Sequence, residues 1–278
     1  MAADLVIAMV THNSASALEK TLAINTAVAR ELRAPFVVAD NASCDSTLDM
    51  LRRATGEYPG LETVRLQRNL GYAAGVNAAA AAAPGADLLL INPDVTLPGA
   101  EALVSLCRQL ERWPRAAVVA PALIGPEGGR QPSARAFPWL GALVASLGVP
   151  KWLPRVSDSY ERFVAPSNSD DPIAVDWVIG AAAVLRRATF DELGGWDERF
   201  FLYMEDADYC RRCWRAGWEV WYVPSLSFRH DYQRVSSTEG ATVISSWSRR
   251  RHIVSLARFF AREPALLLRW SGRRVRQP

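Results

Sequence analysis

Three short polar clusters, Thr11-His12-Asn13, Asp40-Asn41-Ala42-Ser43 and Asn92-Pro93-Asp94, each close an apolar run. Side chains of this kind favour turns wherever they occur. Three in succession, each ending a strand-like segment, would line one rim of a sheet, which is where open α/β proteins bind ligands. Asp94 suits a hard divalent cation that also takes phosphate oxygens. A further group lies in GGWDERFFLYMEDADYCRRCWRAGW (194–218), where Glu205, Asp206 and Asp208 follow the apolar FFLYM. Acids at a helix start complement the helix dipole. An acid at a buried junction also has its pKa raised by desolvation, which fits it to act as a general base.

The segments between these clusters predict the frame that carries them. LVIAMV (5–10), FVVAD (36–40), TVRLQ (63–67), ADLLLIN (86–92) and AAVVAP (116–121) read as strands. They alternate with helices: one opened by a Ser16–Glu19 capping box and running to about Arg33, TLDMLRRA capped by Asp45 or Ser46, and an alanine-rich one stopped at Pro84-Gly85. Another has Pro98 in its first turn and runs to about Trp113. The alternation predicts a doubly wound α/β sheet. Residues 122–172 read as a long excursion enclosing the apolar PWLGALVASLGVP (138–150). VDWVIGAAAVLRR (175–187) returns to strand, a helix covers about Glu205 to Ala216, and WEVWYV (218–223) and LSFRH (226–230) are two short strands.

Several classes are disfavoured. THNSAS after the first strand is neither G-x-G-x-x-G nor a P-loop, which argues against a dinucleotide oxidoreductase. Cys44, Cys107, Cys210 and Cys213 are too scattered for a disulfide framework, and the C-x-x-C they contain lies inside a helix, where packing is the simpler role. The longest apolar stretch, Ala73 to Ile91, is broken by Asn77, Pro84, Gly85 and Asp87. With no basic segment before it, the N-terminus does not read as a leader, and a cytoplasmic, reduced setting follows.

The net charge of +3 is unevenly spread. Residues 249–278 carry nine arginines against Glu263 alone, so the remainder is acidic. A basic tail mixed with Ile253, Val254, Leu256, Phe259 and Phe260 fits either an anionic membrane surface or a helix packed on the core. Nothing in it resembles a nucleic-acid-binding motif.

VTHN, DNASCDST, NLGYAAGVN (69–77), NPD and GGWDERFFLYMEDADYCRRCWRAG together resemble family 2 glycosyltransferases with a GT-A fold, closest to their rhamnosyltransferase-like branch. The resemblance covers about residues 4–235. It implies a single GT-A domain over 1–241, its nucleotide-binding half about 1–121 and its acceptor half about 122–241, with a basic helical tail at 242–278. It implies an inverting transfer from a nucleotide-sugar donor, dTDP-L-rhamnose first and UDP-hexoses next, to a cell-envelope glycan or polyprenyl-linked acceptor. Thr11, Asn13, Asp40, Asn41, Ser43, Asn69, Gly71, Asn77 and Asn92 would bind the nucleotide. Asp94, with His230, would hold Mn²⁺ or Mg²⁺, the first Asp of the D-x-D metal motif being Asn92 here. Asp206 would be the catalytic base, with Trp177, Gly180, Glu205 and Asp208 around the acceptor. A lone His230 is otherwise more simply structural. Two alternatives stand beside this reading: transfer of another sugar, such as N-acetylglucosamine, galactose or glucose, and a catalytically silent sugar-nucleotide-binding scaffold.

Overall fold

The computed structural model describes residues 5–139, 170–231 and 247–268. The apolar segment expected at 138–150 falls almost wholly outside them, as do both ends of the basic tail. The apolar run at the start forms β1 (Leu5–Thr11), buried along its whole length between β2 (Phe36–Asp40) and β4 (Asp87–Ile91). Both neighbours are parallel, Thr11 pairing Asp40 and Met9 pairing Ile91. A parallel strand is covered on both faces, which is why its sequence does not alternate.

The remaining strands are β3 (Leu61–Arg65), β5 (Val95–Thr96), β6 (Ala116–Ile124), β7 (Ala134–Arg135), β8 (Ile173–Ala174), β9 (Trp177–Val178), β10 (Ala182–Leu185) and β11 (Glu219–His230). The main sheet runs β3-β2-β1-β4-β10-β6-β11-β5, with β8 also pairing β11. In it β10 is antiparallel to β4 and β6, whereas β6 and β11 are parallel. A separate ribbon pairs β7 with β9.

Helices cover both faces. α1 (Ala15–Leu32), α2 (Thr47–Glu57) and α4 (Ala100–Arg112) bury Leu18, Leu51 and Leu106 against Ile7, Met9 and Ile91. On the other face, α3 (Tyr72–Ala82), α5 (Arg187–Glu192) and α6 (Glu205–Arg215) set Val76, Phe190 and Tyr209 against Val6, Ala8 and Val10. The alternation of β1 residues between the two cores is the period of two of a strand. α7 (Trp247–Arg262) and α8 (Pro264–Leu268) join the second core through Phe259, Phe260 and Leu266, and no described helix is long and apolar enough to cross a membrane.

Several local expectations shift for physical reasons. α1 starts at Ala15, so Ser16 lies within its first turn instead of capping it. The first amides of this helix are satisfied from the next loop: Ser14 N donates to Thr47 Oγ1 and Ala15 N to Asp45 Oδ2. β3 begins two residues before its expected start, and Pro98 precedes α4, whose N-cap is Gly99. The single strand expected at 175–187 is divided at Gly180, and the two expected near the end of the sheet are one strand, β11, with a register shift between Val223 and Ser227.

Gly75 lies mid-helix in α3, where alanine is ordinarily the better residue by about 1 kcal/mol. Here a β-carbon would run into the buried Val10 side chain, with Cγ2 at 3.0 Å. Gly75→Ala is therefore expected to destabilise the fold by about 1–3 kcal/mol in urea unfolding, the overpacking term exceeding the helix-propensity gain; a stabilised variant would contradict this packing.

Candidate active site

The carboxyl ends of β1, β2 and β4 and the turn before α3 form one connected rim. Asp40 is fully buried and accepts three hydrogen bonds, from Thr11 Oγ1 (3.0 Å), Ser43 Oγ (2.5 Å) and Ser43 N (3.0 Å). Asn41 reaches across to the next turn, donating from Nδ2 to Gly71 O and accepting Leu70 N at Oδ1. Asn13 has a left-handed backbone (φ 50°), donates its amide to Ser43 Oγ and accepts Cys44 N. Asn69 accepts Gly71 N, shaping the turn that Gly71 (φ 95°) completes. All these expected nucleotide residues are brought together except Asn77, whose amide lies further along α3. It joins that helix to the 195–198 loop, accepting Trp196 N and donating to Trp196 O and Glu198 Oε1.

Asp94 and His230, distant in sequence, meet because β5 pairs with β11: His230 registers with Val95, and Asp231 N donates to Asp94 O. Gln131, which the sequence did not single out, fixes the imidazole. Its Nε2 donates to His230 O, which turns Oε1 toward His230 Nδ1 at 2.7 Å. An amide oxygen only accepts, so Nδ1 carries a proton, and Nε2 faces Asp94 Oδ1 at 3.3 Å. Asp94 Oδ1 is buried and accepts no hydrogen bond among the described residues. A carboxylate oxygen and an imidazole nitrogen facing each other at that distance can share a cation. Carboxylate oxygen and imidazole nitrogen are a donor set that Mn²⁺ or Mg²⁺ accepts, so the residues present fit a divalent metal. Two ligands leave the remaining positions to a diphosphate and water; no cluster of three or more His, Cys, Asp or Glu suited to a metal occurs among the described residues.

Tyr72, the first residue of α3, links this pair to the acids of α6. Its hydroxyl lies 2.7 Å from both Asn92 Oδ1 and Gly180 O, one proton shared by two acceptors. Burial, then the charges of Glu205, Asp206 and Asp94, push its pKa well up, so it stays a neutral donor. Gly180 N in turn donates to Asp206 Oδ2 (2.9 Å), while Ala207 N donates to Asp206 Oδ1 (2.7 Å). Asp206 lines a small cavity together with Leu90, Val178, Ile179 and Trp196. Desolvation raises its pKa to about 6, against the opposing pull of the two amides and of Arg135. Glu205 is buried, its Oε2 accepts no hydrogen bond, and desolvation with the neighbouring Asp206 charge pushes its carboxyl well up.

The expected acceptor residues separate. Gly180 serves Asp206 and Tyr72 through its backbone, and a β-carbon there would strike Trp196 at 2.7 Å. Trp177 is buried, donates Nε1 to Ala136 O and lies under Arg135, 5.6 Å from ring centre to guanidinium carbon. Asp208 is turned to Arg212 and Arg262, which hold both of its carboxylate oxygens. Cys210 and Cys213 are buried free thiols, in keeping with packing. Tyr72 and Gln131 are the partners that sequence reading missed. Tyr72 stood inside a quoted motif, whereas Gln131 carries no local signal.

Residues 6–193 match Glycosyl transferase family 2, and residues 155–271 match Glycosyl transferase family group 2. Over 262 residues, 90% of this chain and 83% of the relative, the sequence is 32% identical to an N-acetylglucosaminyl-diphospho-decaprenol L-rhamnosyltransferase of Mycobacterium tuberculosis. Over 92 residues, 33% of each chain, it is 32% identical to the rhamnosyltransferase WbbL of Escherichia coli K12. Among solved structures, GalNAc-T7 with UDP, GalNAc and Mn²⁺ superimposes with a TM-score of 0.66 at 16% identity, over 92% of this chain but 47% of its own length. The mannosyltransferase PcManGT of Pyrobaculum calidifontis, with GDP-Man and Mn²⁺, gives 0.57 at 16% identity over 93% of this chain and 75% of its own. These likenesses establish a GT-A fold. The chain is thus a nucleotide-sugar glycosyltransferase and belongs to glycosyl transferase family 2.

Proposed function

We propose that the protein transfers a sugar, L-rhamnose from dTDP-L-rhamnose first and a UDP-hexose second, to a lipid-linked glycan of the cell envelope, with inversion and with Asp206 as base. The observation that carries this reading is the Asp206 carboxyl: desolvated, held by two backbone amides, and joined through Gly180 and Tyr72 to Asn92 beside the Asp94–His230 pair. The choice of rhamnose and of a polyprenyl diphosphate acceptor rests on the mycobacterial relative, whose name specifies both.

In this mechanism the rim of Thr11, Asn13, Asp40, Asn41, Ser43, Asn69 and Gly71 takes the nucleoside, and Asn92 the part of the donor nearest the base. Asn77 acts at one remove, by fixing the 195–198 loop. Asp94 and His230 would hold a divalent metal, which when bound would supply positive charge against the leaving diphosphate. Asp206 accepts the proton of an acceptor hydroxyl as its oxygen bonds to the anomeric carbon, and the bond to the diphosphate breaks from the opposite face with its electron pair. A single displacement needs one base and no protein nucleophile. Burial and the neighbouring Asp206 charge push the Glu205 carboxyl well up, which disfavours a second negative charge beside that base. A position at the inner membrane face fits the acceptor, and Ile253 and Val254, about half exposed on α7 beside Arg250, fit contact with an anionic surface.

Thermal-shift screening with dTDP-rhamnose, UDP-glucose, UDP-GlcNAc, UDP-galactose and GDP-mannose tests the donor. A ligand at a hundred times its Kd stabilises by about 2.7 kcal/mol, and the shift should require Mn²⁺ or Mg²⁺. Asp94→Ala and His230→Ala should remove the metal-dependent part. Asp206→Asn should keep the shift and lose transfer by several orders of magnitude; full turnover in it, with donor binding intact, would remove Asp206 as the base, whereas a wild type that binds donor and transfers nothing would be the silent scaffold.

Acidity provides a second test. A base with a pKa of about 6 loses transfer as pH falls through that value. The sign for stability is opposite. The folded pKa is raised above the unfolded 3.8, so this carboxyl favours the fold at low pH and that contribution is lost as pH rises through about 6. Urea unfolding between pH 4 and 7 should show the slope in the wild type and a shallower one in Asp206→Asn.

A further inference from the structure

Two consecutive non-glycine residues, Tyr203 (φ 69°) and Met204 (φ 68°), are left-handed immediately before Glu205 and Asp206. Such a conformation persists only where its surroundings over-determine it. On one side the turn meets the start of α3: Tyr72 N donates to Phe201 O at 2.8 Å, and Gly71 lies so close that a β-carbon there would collide with Phe201 O. On the other side the turn meets α7. Ser255 Oγ donates to Leu202 O (2.8 Å), the His252 ring packs on Tyr203 at 4.9 Å, and the Arg251 guanidinium lies over Phe201 at 4.3 Å. Arg262 spans the whole segment. One nitrogen reaches Asp197 Oδ2 (2.5 Å) before the turn, another Asp208 Oδ1 (2.9 Å) after it, and the group lies over Phe200 at 5.3 Å. Although desolvation acts the other way, hydrogen bonds from Arg199 and Arg262 hold the Asp197 carboxyl well below the usual range. Glu263, next in sequence, pairs with Arg211 and Arg215 of α6, so the end of α7 is fastened to the helix that Asp206 opens.

We propose that α7 is a positioning element for the catalytic turn: Ser255 and Arg262 hold the 201–204 turn, with Tyr203 and Met204 left-handed, and through it the direction in which Asp206 points. Arg262 is the central residue. Its planar fork binds two carboxylates at once, which the point charge of lysine does not reproduce. The nucleotide rim is built on β1, β2, β4 and the start of α3, none of which Arg262 touches. Loss of Arg262 therefore acts on turnover and not on nucleotide affinity. The proposal rests on the reading of Asp206 as the base.

The experiment compares Arg262→Met, Arg262→Lys and Ser255→Ala with an exposed α7 control, Ile253→Ser. Calorimetry with dTDP and UDP in the presence of Mn²⁺ reports on the rim, and the titration of the ¹³C-labelled Asp206 carboxyl, assigned by its loss in Asp206→Asn, reports on the turn without requiring turnover. In Arg262→Met, nucleotide affinity should stay within about twofold, while kcat falls by about tenfold or more, since a displacement near 1 Å is enough for such a loss. The carboxyl midpoint should move from about 6 toward the ordinary carboxylate range as the turn opens and water reaches it. Arg262→Lys should recover part of both effects, and Ile253→Ser should leave the carboxyl midpoint unchanged. A folded, nucleotide-binding Arg262→Met with unchanged midpoint and turnover would overturn the proposal. If that variant fails to fold, Ser255→Ala is judged by the same two readouts. Full transfer by Asp206→Asn would instead remove the base assignment, and the midpoint shift would still decide whether α7 sets the turn.

Discussion

Asp206 lines a small cavity together with Leu90, Val178, Ile179 and Trp196, and its carboxyl takes hydrogen bonds from the backbone amides of Gly180 and Ala207. Removing a carboxylate from water is unfavourable unless donors replace the lost hydration. That requirement organises the second half of the molecule. Gly180 interrupts what would be a continuous strand, because its amide serves Asp206 and its carbonyl serves Tyr72. The absence of a side chain there matters as well, since Trp196 occupies the space that a β-carbon would take. The two amides lower the carboxyl's pKa while burial raises it, and the balance leaves a proton affinity between that of a solvated acid and that of a fully desolvated one.

The donor rim solves a different problem. Its loops must present polar groups outward while remaining fixed, and they do so by bonding to one another across the sheet. Asn41 joins the end of β2 to the turn before α3, Asn13 joins the end of β1 to Cys44, and Asp40 braces Thr11 against Ser43. Left-handed residues at Asn13 and Ala42 allow the sharp reversals that this cross-bracing needs. A rim tied together in this way is largely preformed, so a ligand bound there would require little further ordering.

Arginine in the basic tail plays two physical parts. Arg262 is drawn inward between Asp197 and Asp208, and its neighbour Glu263 takes up Arg211 and Arg215. Such partly buried pairs add donors to Asp197 and Asp208 and fasten Glu263 to α6. Arg250, by contrast, is exposed beside Ile253 and Val254. The excess charge of the tail is thus partly structural, which a count of charges along the chain does not reveal.

Hydrophobic runs and turn residues were enough to read β1, β2, β4, the alternation of strand and helix, and the three polar strand ends, because each depends on neighbours within a few residues. The acids in the first turn of α6 were legible for the same reason. What sequence alone left open depends on pairing between distant segments. Asp94 meets His230 because β5 lies beside β11, and Gln131 selects the imidazole proton from a loop that no local pattern marks. Asp208 was placed near the acceptor by its position next to the other acids, yet in the fold it is held by Arg212 and Arg262. On a helix, neighbours in sequence point in different directions, and the partner that each finds is decided by which element packs there. The sequence by itself determined which elements form and which residues could do chemistry. Only the tertiary structure decided which of them face one another, because register, burial and the choice of hydrogen-bond partner are properties of the packed whole.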